Sequence, residues 1–128
     1  MTITLSGTGV TFSDGKQTTA YRSSNGANGW ARLSDGTLIQ WGQSSTYSLS
    51  ANGGARAALT ITYPVAFTTV YRVIATNDTS SVPGGSLWYP IMTCASSITT
   101  SNFVWYCGEP NNGCIGATLS TRWIAFGI

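Results

Sequence analysis

Apolar and polar residues alternate along this chain in short runs of strand length. Between Arg56 and Tyr63, Ala57, Leu59, Ile61 and Tyr63 alternate with Arg56, Ala58, Thr60 and Thr62. That period of two predicts a strand with one buried face, ended by Pro64, which lacks the N–H a ladder needs. Val70–Thr76 is apolar on both faces apart from Arg72, which predicts a central, two-sided strand. Leu87–Cys94 reads as a strand interrupted at Pro90, and Phe103–Cys107 as one apolar on both faces. Ile115, Ala117 and Leu119 alternate; Ser120-Thr121 then reads as a turn into a final strand, Trp123–Ile128. No useful window has a helical period. The expected fold is all-β, a β-sandwich-like knob.

The clearest local signal is Asn28–Gly42, where Asp35-Gly36 separates two β-prone arms. Asp-Gly suits a tight turn with positive φ at both central residues. With those two at the turn, Leu33 faces Leu38, Arg32 faces Ile39, and Trp30 faces Trp41. Trp30, Ile39 and Trp41 would then share one face of the hairpin.

Polar and Gly-rich stretches mark the connections. Ile3, Leu5, Val10 and Phe12 give short strand-like pieces broken by Gly7 and Gly9, and Asp14-Gly15 marks a turn. Residues 17–28 are polar with little period. Residues 1–27 are therefore read as an arm or linker, and 28–128 as the folded domain. Loops are expected at 43–54, 77–86, 96–102 and 108–113.

Composition narrows the function. Charged residues are 8% of the 128 and hydrophobic ones 42%, so solubility rests on hydroxyls and amides. Such a surface suits a subunit that buries much of itself in an oligomer, and five tryptophans are many for one small knob to enclose. The six basic residues are scattered, which argues against a nucleic-acid partner. No stretch is long and apolar enough to insert in a membrane, and the N-terminus lacks a signal-peptide pattern. Synthesis in a cytoplasm is expected.

Candidate chemistry is sparse. The chain has no histidine, which removes His-based triads and His-ligated metals. Of the four carboxylates, Asp14 and Asp35 belong to turns, leaving Asp78 and Glu109 as the only candidates for a glycosidase-type pair. Solvated loop acids are the simpler reading. Gly84-Gly85 lacks the lysine of a phosphate loop. Cys94, Cys107 and Cys114 match no zinc spacing. Cys107 and Cys114 could pair across a hairpin, but buried thiols fit cytoplasmic synthesis better. No catalysis, cofactor or metal is expected.

Four segments carry a resemblance: Asn28-Gly29-Trp30 with Ile39-Gln40-Trp41-Gly42; Val10-Thr11-Phe12-Ser13-Asp14-Gly15-Lys16-Gln17-Thr18-Thr19-Ala20; Tyr63-Pro64-Val65-Ala66-Phe67; and Arg122-Trp123-Ile124-Ala125-Phe126-Gly127. Taken together in chain order they resemble the C-terminal receptor-binding domains of bacteriophage tail-fibre proteins. The resemblance implies a homotrimeric fibre tip in the virion, of a phage or a related phage-tail-like bacteriocin. Its partners would be other tail or virion proteins and a bacterial surface receptor, a lipopolysaccharide sugar or an outer-membrane protein. A collar, baseplate or decoration component and a polysaccharide depolymerase are the competing readings.

The recurrent motifs look like scaffold, so receptor residues are chosen by loop position and chemistry alone. Aromatic rings that stack on sugar C–H faces, beside amides and carboxylates, suggest Trp88, Tyr89, Trp105, Tyr106, Asp78, Glu109, Asn111 and Asn112. Neighbouring rings point to opposite faces of a strand, so at most one of each pair looks outward, and Trp88 and Trp105 also suit a core or subunit interface.

Overall fold

A computed structural model describes residues 3–6, 9–12, 17–18, 21–22, 27–49, 55–81, 92–109 and 116–128. Twelve strands run through them: β1 (Ile3–Ser6), β2 (Gly9–Phe12), β3 (Gln17–Thr18), β4 (Tyr21–Arg22), β5 (Gly29–Arg32), β6 (Leu38–Gln43), β7 (Tyr47–Ser48), β8 (Ala55–Thr62), β9 (Val70–Ser81), β10 (Met92–Ser96), β11 (Asn102–Glu109) and β12 (Thr118–Gly127). Among the described residues there is no helix, and every pairing is antiparallel. The fold is all-β, as the alternation predicts.

Strands β1, β2 and β3 form a small sheet of their own, and β10, β11 and β8 form a second. The third sheet is organised by β12. One edge of β12 pairs with β6 and then β7, while the other pairs with β9 along its length. Strands β5 and β4 continue outward from β6, so residues 21–22, within the expected arm, pair with the hairpin.

The second and third sheets pack face to face through one hydrophobic core. Phe103, Trp105, Cys107 and Ile61 from one sheet meet Leu38, Val73, Leu119, Trp123 and Ala125 from the other. Phe103 and Trp123 meet edge to face at 5.6 Å across the interface. Tyr63, just beyond β8, stacks on Phe103 at 5.7 Å and contacts Phe67 and Trp123 edge-on. Trp105 is fully enclosed, and its indole N–H donates to Thr93 Oγ1 at 2.6 Å, so burial leaves that donor satisfied.

Gln40 joins the core to a loop. It is wholly buried, its Nε2 donates to the Val65 carbonyl at 2.7 Å, and its Oε1 accepts from the Val65 N–H at 2.9 Å. The amide thus acts as one more strand rung, holding the segment after β8 against β6. Gly127 permits the neighbouring approach, since a Cβ there would collide with the Thr69 carbonyl and the Phe67 ring.

Several expectations are corrected. The β5–β6 hairpin pairs Arg32 with Leu38, Ala31 with Ile39, Trp30 with Gln40 and Gly29 with Trp41, one residue out from the expected register. The turn is a three-residue loop closed by Leu33 and Thr37: the Leu33 N–H donates to the Thr37 carbonyl at 2.8 Å and the Gly36 N–H to the Leu33 carbonyl at 3.0 Å. Within it only Gly36, at φ +90°, takes a left-handed conformation. A two-residue turn would force Asp35 there too; the longer loop leaves that strain to glycine. Asp35 instead accepts the Thr37 N–H at 2.8 Å, which lowers its carboxyl pKa. The register change turns Trp30 toward the core beside Leu38 and Gln40, and leaves Ile39 and Trp41 on the opposite face.

Strand β9 runs through Ser81, beyond the expected loop start at residue 77, because β12 offers it a ladder that far. It is one-sided, not two-sided: Val73 is buried, whereas Arg72 and Ile74, on the other face, are exposed. Ser120 and Thr121 make no turn but lie buried within β12, with Thr121 Oγ1 donating to the Thr76 carbonyl at 2.8 Å. Tyr47 and Ser48, expected in a loop, pair with β12. Cys94 is exposed, not buried, because its position in β10 faces outward; Cys107, on the inner face of β11, is buried. Residues 87–91 of the expected Leu87–Cys94 strand and residues 110–113 lie outside the described residues.

Candidate functional site

The outward face of the β12 sheet is built in rungs. Trp41, Ile124 and Ile74 lie side by side across β6, β12 and β9, and Ile39, Phe126 and Arg72 form the next rung. None of these six is buried, and Ile74 is 50% exposed. Alternation explains the face: the intervening residues Gln40, Ala125 and Val73 fill the core, so these must point away from it.

Beyond Trp41 the surface turns polar. Gln43, Arg122 and Thr76 make one rung, and Asp78 stands on the next beside the buried Ser120. Arg122 Nε donates to Asp78 Oδ2 at 2.9 Å, a diagonal ion pair with side chains 69% and 41% exposed. At that exposure the pair adds little stability; it fixes the direction of the guanidinium. Gln43 Nε2 reaches Ser120 Oγ at 3.5 Å. A hollow of about 310 Å³ lies here, lined by Ala27, Trp41, Gly42, Gln43, Arg122 and Trp123. Gly42 allows its tight floor, because a Cβ there would come within 2.6 Å of both Asn28 Oδ1 and the Trp123 ring.

The sequence-chosen residues are dispersed. Asp78 belongs to the ion pair just described. Tyr106 is 42% exposed on the outward face of the other sheet, between Cys94 and Ala58. Asp78 and Tyr106 thus lie on opposite outer faces of the sandwich. Trp105 is corrected to a core residue: its odd register in β11 points it inward with Phe103 and Cys107. Glu109 ends β11. Trp88, Tyr89, Asn111, Asn112 and the side chain of Glu109 lie outside the described residues. Sequence reasoning missed Trp41, Gln43 and Arg122, because Trp41 was paired with Trp30 in the wrong register and Arg122 was absorbed into a scaffold motif. Among the described residues no group of His, Cys, Asp or Glu could hold a metal.

This two-sheet architecture recurs in solved structures of bacteriocin fibres. An N-truncated R1-type pyocin tail fibre superposes with a TM-score of 0.68 over 85% of each chain, at 22% identity. A C-terminal R2 pyocin fibre fragment from P. aeruginosa gives a TM-score of 0.59 at 31% identity, covering 85% of this chain and 26% of that one. The corresponding R1 fragment of P. aeruginosa is matched over 28% of its length. The chain therefore has the fold of an all-β fibre C-terminal domain. Residues 32–128 match the C-terminal domain described as putative tail fiber protein gp53-like, and the chain belongs to that family. No curated protein matches.

Proposed function

We propose that this domain is the tip of a tail fibre, which attaches a phage or phage-tail-like particle to a receptor on the bacterial surface. The observation that carries this reading is the family match over residues 32–128, on a fold shared with pyocin tail fibres. The domain works by binding, without catalysis. Its one described carboxylate of candidate interest, Asp78, is engaged by Arg122 at 2.9 Å. Its partners are other tail proteins, and its location is the virion.

The tip functions as a homotrimer. The apolar residues Ile124, Ile74, Ile39 and Phe126 support this, since such a face is costly to leave in water and resembles the apolar centre of a subunit interface. Binding of purified protein to intact host cells tests the function. Saturable binding that blocks particle adsorption is expected. Normal incorporation into particles without cell binding would favour a collar, baseplate or decoration role, and release of reducing ends from host glycan would favour a depolymerase.

A further inference from the structure

We propose that the hollow walled by Trp41, Gln43 and Arg122 is a subsite for one neutral pyranose residue of a surface glycan. This rests on the receptor-binding reading and chooses a sugar over an outer-membrane protein. Three features of the hollow carry it.

The first is the pairing of a ring with polar side chains. Trp41 is partly exposed and stands one rung from Arg122 on the same outward face. An indole face packs well on the C–H patch of a sugar ring. Arg122 and Gln43, side by side on one rung of the wall, then offer donors and an acceptor. Neighbouring sugar hydroxyls each donate and accept, so a vicinal diol can bridge the two.

The second is charge. Arg122 brings one positive charge and Asp78 one negative at 2.9 Å, so the local balance is zero. The guanidinium that lines the hollow is thus already neutralised, which removes the pull on a uronic acid or phosphate and leaves hydrogen bonding to a neutral sugar. The Nε contact also orients the fork in advance of binding, which lowers the ordering cost.

The third is size and stiffness. At about 310 Å³ the hollow is at the small end of ligand pockets, which run from roughly 300 Å³ upward. It suits a single ring. Its floor is held by Gly42 packed against Asn28 and Trp123, and by the Gln43 N–H donating to Asn28 Oδ1 at 2.7 Å. The hollow lies at the polar end of the apolar face, so a sugar there leaves Ile74, Ile124, Ile39 and Phe126 available for subunit contact.

Saturation-transfer NMR on the full 128-residue chain, with methyl glycosides of glucose, galactose, mannose and rhamnose and with glucuronate as acidic probe, tests the proposal. At least one neutral glycoside should show transfer, strongest at its ring C–H protons. Arg122→Ala should weaken that signal by about tenfold in affinity, the scale of a lost charged hydrogen bond, and Gln43→Ala should weaken it as well, each with thermal melting unchanged. Transfer to glucuronate alone, or to a neutral glycoside equally in both variants, overturns the subsite. No transfer to any probe while the protein still binds host cells overturns it too, and leaves the fibre-tip reading standing. Loss of cell binding by the unaltered chain would instead remove the fibre-tip reading.

Discussion

At the residue scale, single side chains here replace backbone pairing. Gln40 makes two hydrogen bonds to Val65 from a fully buried position. Gln40→Leu would fill similar space but leave the Val65 N–H and carbonyl without partners. An unsatisfied buried group costs about 1–3 kcal/mol, and Val65 is only half-buried, so a loss of roughly 1–3 kcal/mol is expected in urea unfolding. Tyr63 is the opposite case. It is 5% exposed, its hydroxyl makes no hydrogen bond, and burial pushes its pKa up to about 12. Tyr63→Phe should therefore leave stability unchanged or raise it by up to about 1 kcal/mol. The same burial gives a pH dependence. Above pH 10 the unfolded chain ionises this phenol while the folded chain keeps it neutral. Stability falls as pH rises from about 10 to about 12, and the Phe variant should lose less over that window in thermal melts at successive pH values.

At the scale of elements, the decisive detail is the length of one turn. Asp-Gly announced the hairpin correctly, but a three-residue loop in place of a two-residue one moved every cross-strand pair by one. In a period-two structure that exchanges faces. Trp30 turns to the core, and Trp41 turns out to the hollow. Gly36 bears the left-handed conformation alone, at φ +90°, with nothing within 4 Å of a Cβ placed there. Gly36→Ala thus isolates backbone strain from crowding, and should cost about 1 kcal/mol in unfolding measurements without changing the fold. Gly127 differs: there an added methyl would strike the Thr69 carbonyl and the Phe67 ring, so Gly127→Ala should destabilise by more than the Gly36 variant in the same assay. The misread turn at Ser120-Thr121 has a related cause. Two hydroxyl residues suggest a break, yet both find acceptors once β9 lies alongside, with Thr121 Oγ1 donating to the Thr76 carbonyl. That acceptor belongs to a strand 45 residues away, which local propensity does not sense.

At the scale of the molecule, the outward faces set the chain's associations. The proposed fibre-tip reading expects a mass of three chains by light scattering coupled to size exclusion, with the apolar face around Ile74 and Ile124 as the subunit contact. Ile74→Glu, at a position 50% exposed in the single chain, should shift that mass toward one chain while leaving the melting of the isolated fold nearly unchanged. An unchanged trimer would move the subunit contact to another face. A monomer in the parent chain would remove the trimer from the proposal altogether.

The sequence alone determined the all-β class, most strand positions and the exclusion of His-based chemistry, because period-two alternation, Pro and Gly breaks and residue inventory are local properties. The family resemblance likewise rested on local motifs, and their spatial meeting explains them: Gln40 grips Val65, and Gly127 accommodates Phe67. Only the tertiary structure decided which side of each strand is outside. It placed Trp105 in the core, made β9 one-sided, and brought Trp41, Gln43, Arg122 and Asp78 together. The physical reason is that register and sheet order depend on pairings between distant strands: Arg122 meets its partner Asp78 from 44 residues away. A surface composed of residues from three strands has no signature in any one of them.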